Sequence, residues 1–281
     1  MREKEKEIDI IKANLKFFKH KAQDYNAEEP SYKPENIKRV KTIFEEFLIK
    51  KKNPKILDIG CGTGFVMDIA KQFSTNVIGV DISAEMLKEV NRKGNVETIR
   101  SNTSFLPFTE NYFDVCTSYG FLHHLYDLVS TLKEAHRCLR RGGIFYSDQD
   151  PNYYYWENGR KFNPEKIKNL FLKNEIIHVN DPTDGYKRKK MKSLNTAGKE
   201  TIIQSEYQKT TKGGFREEEI SEMFKKIGFR QISYNYEWYL GEGYVKHEIS
   251  KKTDVLLNEH LQKCLPLSRN LFKYVRIIAI K

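Results

Sequence analysis

The most specific chemical signal in the chain is Leu57-Asp58-Ile59-Gly60-Cys61-Gly62-Thr63-Gly64, set between the strand-like KILDIG and the helix-like FVMDIAKQF. Glycines at such a junction let the backbone turn tightly and approach a ligand at the N-terminal end of the next helix. A nucleotide-type ligand is implied. The dinucleotide fingerprint G-x-G-x-x-G would need glycine at position 65; the chain has Phe65 there and its third glycine comes one residue early, which argues against NAD. Asp81 closes the next apolar run, NVIGVD, where a carboxylate can accept hydrogen bonds from both hydroxyls of a ribose, so an adenosine without a 2′-phosphate fits. A glycine-rich turn alone is often only a turn, and an Asp before Ser83 can merely precede a helix cap. Their order and context together carry the ligand reading.

A second set of reactive side chains lies further on, in Ser118-Tyr119-Gly120-Phe121-Leu122-His123-His124-Leu125 and in Ser147-Asp148-Gln149-Asp150. Each follows a strand-like run, and adjacent strands of a parallel sheet end on one edge, so the two loops should face each other. A His beside an Asp suits general-base work near neutral pH; a His pair at a helix start can equally cap or pack. Tyr153-Tyr154-Tyr155-Trp156 offers flat apolar faces with polar tips, and Lys187-Arg188-Lys189-Lys190-Met191-Lys192 offers charge. Together they fit a pocket for an aromatic or lipid-like acceptor with an anionic part, or a nucleic-acid groove, or simply packed aromatics beside a solvated basic loop.

The elements that must hold these residues read as an α/β protein. From Lys55 short runs rich in Ile and Val alternate with amphipathic stretches, giving five strands by Asp148, and FRQISYNYEW and FKYVRIIAIK add two more. The helix-like EEEISEMFKKIG between them ends on Gly228, a C-cap residue. The expected organisation is a core from residues 55–150 and 215–281, an inserted cap over 151–214 after the fifth strand, with 240–268 as a candidate extension of it, and a helical segment over 1–54 that covers the site. The 281 residues include 49 Lys and Arg against 38 Asp and Glu, a net charge of +11, yet residues 56–150 carry 9 basic and 12 acidic groups. The basic excess therefore lies outside the loop-bearing core. The four cysteines form no C-x-x-C pair, the start lacks a signal-peptide core, and no apolar run is long enough to span a bilayer, so a cytoplasmic location with reduced thiols is expected.

In these residues the chain resembles the class I S-adenosylmethionine-dependent methyltransferases, in the type-11 subgroup similar to the small-molecule enzymes of ubiquinone and menaquinone biosynthesis. LDIGCGTG looks like their first motif, GVDIS their second, and LPFTENYFDVCTS with LKEAHRCLRRGGIF their later signatures, over about residues 55–150. The resemblance implies a Rossmann-like, seven-stranded, mostly parallel sheet with helices on both faces. It implies S-adenosylmethionine as cofactor and S-adenosylhomocysteine as product. Asp58, Gly60, Cys61 and Gly62 would surround the methionine moiety, Asp81 the ribose and Ile82 the adenine face, with Asn102, Thr103 and Tyr119 completing the site. Where many relatives have Gly-Asp-Ala, this chain has Ser101-Asn102-Thr103, so an amide oxygen would replace the acid that accepts the adenine amino group. Some natural-product relatives use a His–Asp pair, which would make His123 or His124 the base and Asp148 its orienting partner. Tyr25 would lie in an N-terminal segment that covers the site. Methyl transfer is an in-line displacement whose thioether leaves without a proton, so no metal is expected and the protein must mainly align the acceptor. The acceptor expected is a small or lipid-like molecule; the alternatives are an RNA methyltransferase using the basic cap and a protein that binds the cofactor without catalysis.

Overall fold

The computed structural model describes residues 2–48, 51–181 and 196–281. Its seven strands are β1 (Lys55–Ile59), β2 (Asn76–Asp81), β3 (Val96–Arg100), β4 (Phe113–Tyr119), β5 (Leu139–Pro151), β6 (Arg230–Tyr239) and β7 (Phe272–Ile280). They form one sheet in the order β3-β2-β1-β4-β5-β7-β6, parallel except for β7, which runs against both β5 and β6. The chain moves outward from β1 to β3 and then crosses back to β4, so the order reverses between β1 and β4. That reversal leaves a crevice outside their carboxyl ends, the place where open α/β sheets bind ligands.

Side-chain alternation buries both faces of the strands. Ile56 and Val115 point to one side with Val40, Phe44, Val66 and Ile69; Leu57 and Cys116 point to the other with Leu132, Phe145 and Phe224. The first face is covered by α2 (Pro34–Leu48) and α3 (Phe65–Ala70), the second by α5 (Leu128–Cys138) and α9 (Glu217–Ile227). Between them in sequence come α4 (Ala84–Lys88), α6 (Tyr153–Gly159), α7 (Leu170–Asn180) and α8 (Thr196–Ser205), and α10 (Lys251–Lys263) follows β6. The expected helix before β6 ends as predicted, with Gly228 at φ +118° capping α9.

Above the carboxyl edge the first helix, α1 (Arg2–Lys21), lies along α8, so the N-terminal segment and the stretch after β5 meet over the crevice. Gln208 Nε2 donates to the carbonyl of Leu125 (2.8 Å), tying that stretch to the loop after β4. The segment after β6 also reaches it: Gly241 N donates to Glu175 Oε2 (2.8 Å) and the rings of Tyr244 and Phe171 are in contact. The basic run Lys187–Lys192 lies outside the described residues. Tyr153-Tyr154-Tyr155-Trp156 forms most of α6, with Tyr155 and Trp156 buried and Tyr153 and Tyr154 stacked under the guanidinium groups of Arg216 (3.8 Å) and Arg269 (3.7 Å). These four rings line neither of the two cavities described next; Tyr155 and Trp156 pack inside the fold, in keeping with the third reading given for the run.

Candidate active site

The loop from β1 to α3 is shaped by three glycines at positive φ: Gly60 at +71°, Gly62 at +53° and Gly64 at +89°. Gly60 is also required by space, since a Cβ there would meet the Phe121 ring at 2.1 Å. The loop is clamped to β2 from below. Gly60 N and Cys61 N both donate to the Val80 carbonyl, and Gly62 N donates to Asp81 Oδ2 (2.9 Å). The other carboxylate oxygen of Asp81 accepts from Ser83 N (2.8 Å). Each oxygen thus takes one backbone N–H and keeps a lone pair for a hydroxyl in the cavity that Asp81 lines. Burial raises the Asp81 pKa, while the N–H groups of Ser83 and Gly62 pull it down.

Asp58, at the end of β1, is 2% exposed and accepts from the Thr117 hydroxyl (2.7 Å). Burial pushes its pKa up to about 7 against that hydrogen bond, with the Asp81 charge adding to the rise. A cationic ligand beside it would favour the ionised form.

All nine residues expected to hold a cofactor, Asp58, Gly60, Cys61, Gly62, Asp81, Ile82, Asn102, Thr103 and Tyr119, line one cavity of about 1110 Å³ of empty space, its open mouth included. Asn102 Oδ1 accepts from Ser104 N (3.0 Å), which leaves one lone pair and both amide protons for a base. Thr103 spends its hydroxyl on Thr131 (2.9 Å) and therefore contributes mainly backbone. The Tyr119 ring packs on Phe65 (4.7 Å), and its phenol, whose pKa burial drives upward, accepts from Asn36 Nδ2 (2.8 Å). Ile10, Ile11, Leu15 and Phe18 of α1 close the cavity from above, and Tyr32 closes it from the side with its hydroxyl 2.6 Å from Thr63 Oγ1. The sequence reading expects a covering segment here but names none of these side chains, although the apolar positions of α1 recur at helical spacing.

A second, polar chamber of about 680 Å³ shares Phe18, Tyr25, Ser31, Tyr119, Gly120 and His124 with the first. Its remaining walls include Lys21, Glu29, His123, Gln149, Glu206 and Lys209. Lys21 pairs with Glu29 (2.7 Å) and Lys209 with Glu206 (3.1 Å), and all four lie under the two helical segments. His123 and His124 stand between the two spaces, rings 4.1 Å apart. Burial, and then the neighbouring His123, push the His124 pKa down to about 3, so that ring is neutral near pH 7.

The expected partnership of Asp148 with the histidines does not occur. Asp148 is fully buried; its Oδ2 accepts from Arg39 Nη1 (2.9 Å) and the Tyr146 hydroxyl (2.7 Å), and its Oδ1 from Gln149 N (2.7 Å). The carboxylate that meets His123 is Asp150, whose Oδ1 accepts from His123 N (3.1 Å) and faces Nδ1 of the same ring (3.0 Å). The cause is backbone geometry. Gln149 sits at φ +62°, inside a register shift of β5 against β7 between Ser147 and Asp150, so the strand turns there and residues two apart no longer share a face. Asp148 then serves Arg39, which also pairs with Glu237 (3.1 Å) and ties α2 to the sheet. Gln149 pays for its conformation without an obvious return: Nε2 is buried in the chamber wall with no hydrogen-bond partner among the described residues.

A sheet with a reversed β7, a three-glycine loop at its switch point and an acid at the end of β2 define the class I S-adenosylmethionine-dependent methyltransferase fold. Residues 57–147 match the family model described as a methyltransferase domain. Over those residues the chain is similar to that class, in its type-11 subgroup. An uncharacterized protein of Methanocaldococcus jannaschii is 38% identical over 122 residues, which cover 42% of this chain and 47% of that protein. A demethylmenaquinone methyltransferase of Staphylococcus carnosus is 37% identical over 101 residues, covering 34% of this chain and 42% of that enzyme. The chain thus spans less than half the length of these curated relatives. A SAM-dependent methyltransferase of known structure from Archaeoglobus fulgidus shares the fold, with a TM-score of 0.51 at 20% identity over 87% of this chain and 94% of that one.

Proposed function

We propose that the chain is an enzyme that transfers the methyl group of S-adenosylmethionine to a small, polar acceptor seated in the chamber beyond His123 and His124. The observation that carries this reading is the shared wall. Tyr119, Gly120 and His124 belong at once to the cavity lined by all nine expected cofactor residues and to the polar chamber, so contents of the two can meet there. The residues fit the cofactor: Asp81 retains lone pairs for two ribose hydroxyls, the glycine loop leaves room for close approach, and buried Asp58 lies where a positive group gains most. When bound, the cofactor supplies an electrophilic methyl on a sulfonium that becomes neutral as the methyl leaves.

The chain's own residues then have to place the acceptor and keep water out, which α1 and Tyr32 do by covering the cavity. His123 is held by Asp150, which leaves its Nε2 towards Glu206 (3.7 Å) and available to an acceptor N–H or O–H. Charged walls decide between acceptor types. Seating a lipid chain against Lys21, Glu29, Glu206 and Lys209 would strip water from all four without replacing it. A polar molecule with its own charges satisfies them, so we read the acceptor as small and polar rather than lipid-like, and the RNA reading has no basic groove in the described residues to support it.

Incubating the protein with methyl-labelled cofactor and cell extract tests the reading. Label should pass to a ribonuclease-resistant product that stays in the aqueous phase on extraction with organic solvent. Label in the organic phase would restore a lipid-like acceptor, label in a ribonuclease-sensitive fraction would support RNA, and unconsumed cofactor would indicate a binding protein without catalysis.

A further inference from the structure

The two imidazoles and Glu206 have a relation to one another that methyl transfer itself does not call for. Asp150 faces His123 Nδ1 at 3.0 Å while also taking the Ser147 hydroxyl on its other oxygen (2.6 Å); the oxygen that faces the ring takes the His123 backbone N–H as well and can only accept, which puts a ring proton on Nδ1. His124 Nδ1 lies 2.5 Å from the carbonyl oxygen of Ser205, which also can only accept, and this fixes the second ring in the same tautomer. That leaves Nε2 as the ring nitrogen of each histidine not engaged by these hydrogen bonds, and His123 Nε2 lies 3.7 Å from Glu206 Oε2. A ligand atom from each ring and an oxygen of Glu206 lie within 4.8 Å of one another, and all three residues are buried at the chamber wall.

We infer that His123, His124 and Glu206 form a binding site for one divalent transition-metal cation of the zinc type. Ring nitrogens of both histidines and the Glu206 carboxylate stand within reach of one ion, and the Lys209 ammonium beside Glu206 holds the place of the positive charge that the ion would bring. An imidazole whose other nitrogen donates to a carboxylate or a backbone carbonyl is the usual state of a metal-ligating histidine, because the outer hydrogen bond fixes ring orientation and raises ligand basicity. Here both forms occur side by side. Two imidazoles and a carboxylate suit zinc or ferrous iron and leave coordination positions open. Those positions face the chamber, so a bound ion would take the acceptor's oxygen or nitrogen and make its proton easier to lose. This consequence rests on the chamber being the acceptor side, and in it His123 Nε2 is a ligand, so that the ion takes over the activation otherwise left to that nitrogen; the binding of the ion does not rest on it.

Lys209 is the group that argues back. Its ammonium lies 3.1 Å from Glu206 Oε2 and must move when an ion arrives. The Trp156 ring, 5.1 Å from that ammonium, offers it a cation–π face on the other side. Removing Lys209 should therefore strengthen the site if it is a metal site, and would do nothing for metal affinity if Glu206 exists only to pair with Lys209.

The test is titration of the full chain, free of any polyhistidine tag, with Zn²⁺ by calorimetry and with Co²⁺ by visible absorption. No cofactor or acceptor is added, so its failure leaves the methyl-transfer reading intact. One equivalent should bind, reversibly with a chelator, and Co²⁺ should show the intense bands of a low-coordinate site. His124→Ala and Glu206→Gln should each weaken binding more than tenfold, and Asp150→Asn by about 10–100-fold through the outer hydrogen bond. Lys209→Met should tighten it several-fold. Cofactor affinity, measured on the same samples, reports that each variant is folded. No saturable binding to the wild-type chain, or binding that survives His123→Ala combined with His124→Ala, overturns the proposal.

Discussion

The two cavities are built in opposite ways. The floor of the cofactor side is made of residues at the ends of consecutive strands, a glycine loop after β1, an acid at the end of β2 and the turn after β3, and α1 only roofs it. The chamber side is made of side chains gathered from distant parts of the chain: Lys21 from α1, Glu29 from the loop after it, His123 from the turn after β4, Gln149 from the bulge in β5 and Glu206 from the end of α8. A binding site of the first kind is set by local conformation and tolerates little change in it. One of the second kind is set by which side chains the covering helices bring, and it can change without disturbing the sheet.

The largest effect that would sharpen this contrast is on the chamber. His123→Ala should lower methyl transfer by roughly 10²–10⁴ while cofactor affinity stays within about twofold, because the lost group acts on the acceptor and not on the cofactor. A parallel loss of cofactor affinity in calorimetry would merge the two sides into one. Next comes the loop. Gly60→Ala places a methyl in the Phe121 ring on a residue at φ +71°, and about 3 kcal/mol of stability should be lost in denaturant unfolding from crowding and left-handed strain together. A loss below about 1 kcal/mol would mean that the loop is more pliable than its glycines imply.

This contrast also explains what could be read from the sequence. Asp58, Gly60, Gly62 and Asp81 are legible as the lining of one cavity because their placement follows from position at strand ends and from glycine's access to positive φ, both local properties. The seven strands were legible for the same reason, through short apolar runs punctuated by turn residues. The resemblance gives Asp148 to the histidines, and one non-glycine residue at positive φ, Gln149, gives that place to Asp150 instead. No composition rule signals such a bulge. Glu206, Lys209 and Glu29 were missed because only the packing of α1 and α8 over the sheet edge brings them to His123, and that packing depends on long-range contacts. Tyr153-Tyr154-Tyr155-Trp156 leaves its readings open in the sequence: an aromatic run suits a ligand pocket and a packed helix equally, and here the helix holds it.

A smaller effect, confined to the cofactor side, concerns pH. Asp58 has a native pKa of about 7, raised by burial above its unfolded value. The native state therefore keeps a proton that the unfolded state has lost, so stability falls as pH rises from about 4 towards 7 and levels off above it. Asp58→Asn should flatten that part of the profile in thermal unfolding at a series of pH values. An unchanged slope would show that another group titrates there. A cationic cofactor favours the ionised acid, so its affinity in the wild-type chain should rise over the same interval.

The division of labour between the two cavities is tested most directly by titrating S-adenosylmethionine into three proteins, the wild-type chain, Asp81→Ala and Glu206→Gln. The account predicts one site per chain, a loss of about 1.5–3 kcal/mol for Asp81→Ala from charge-assisted hydrogen bonds to the ribose, and an affinity within about twofold of wild type for Glu206→Gln. Equal losses in the two variants, or a wild-type chain that binds NADH as well as it binds S-adenosylmethionine, would contradict it.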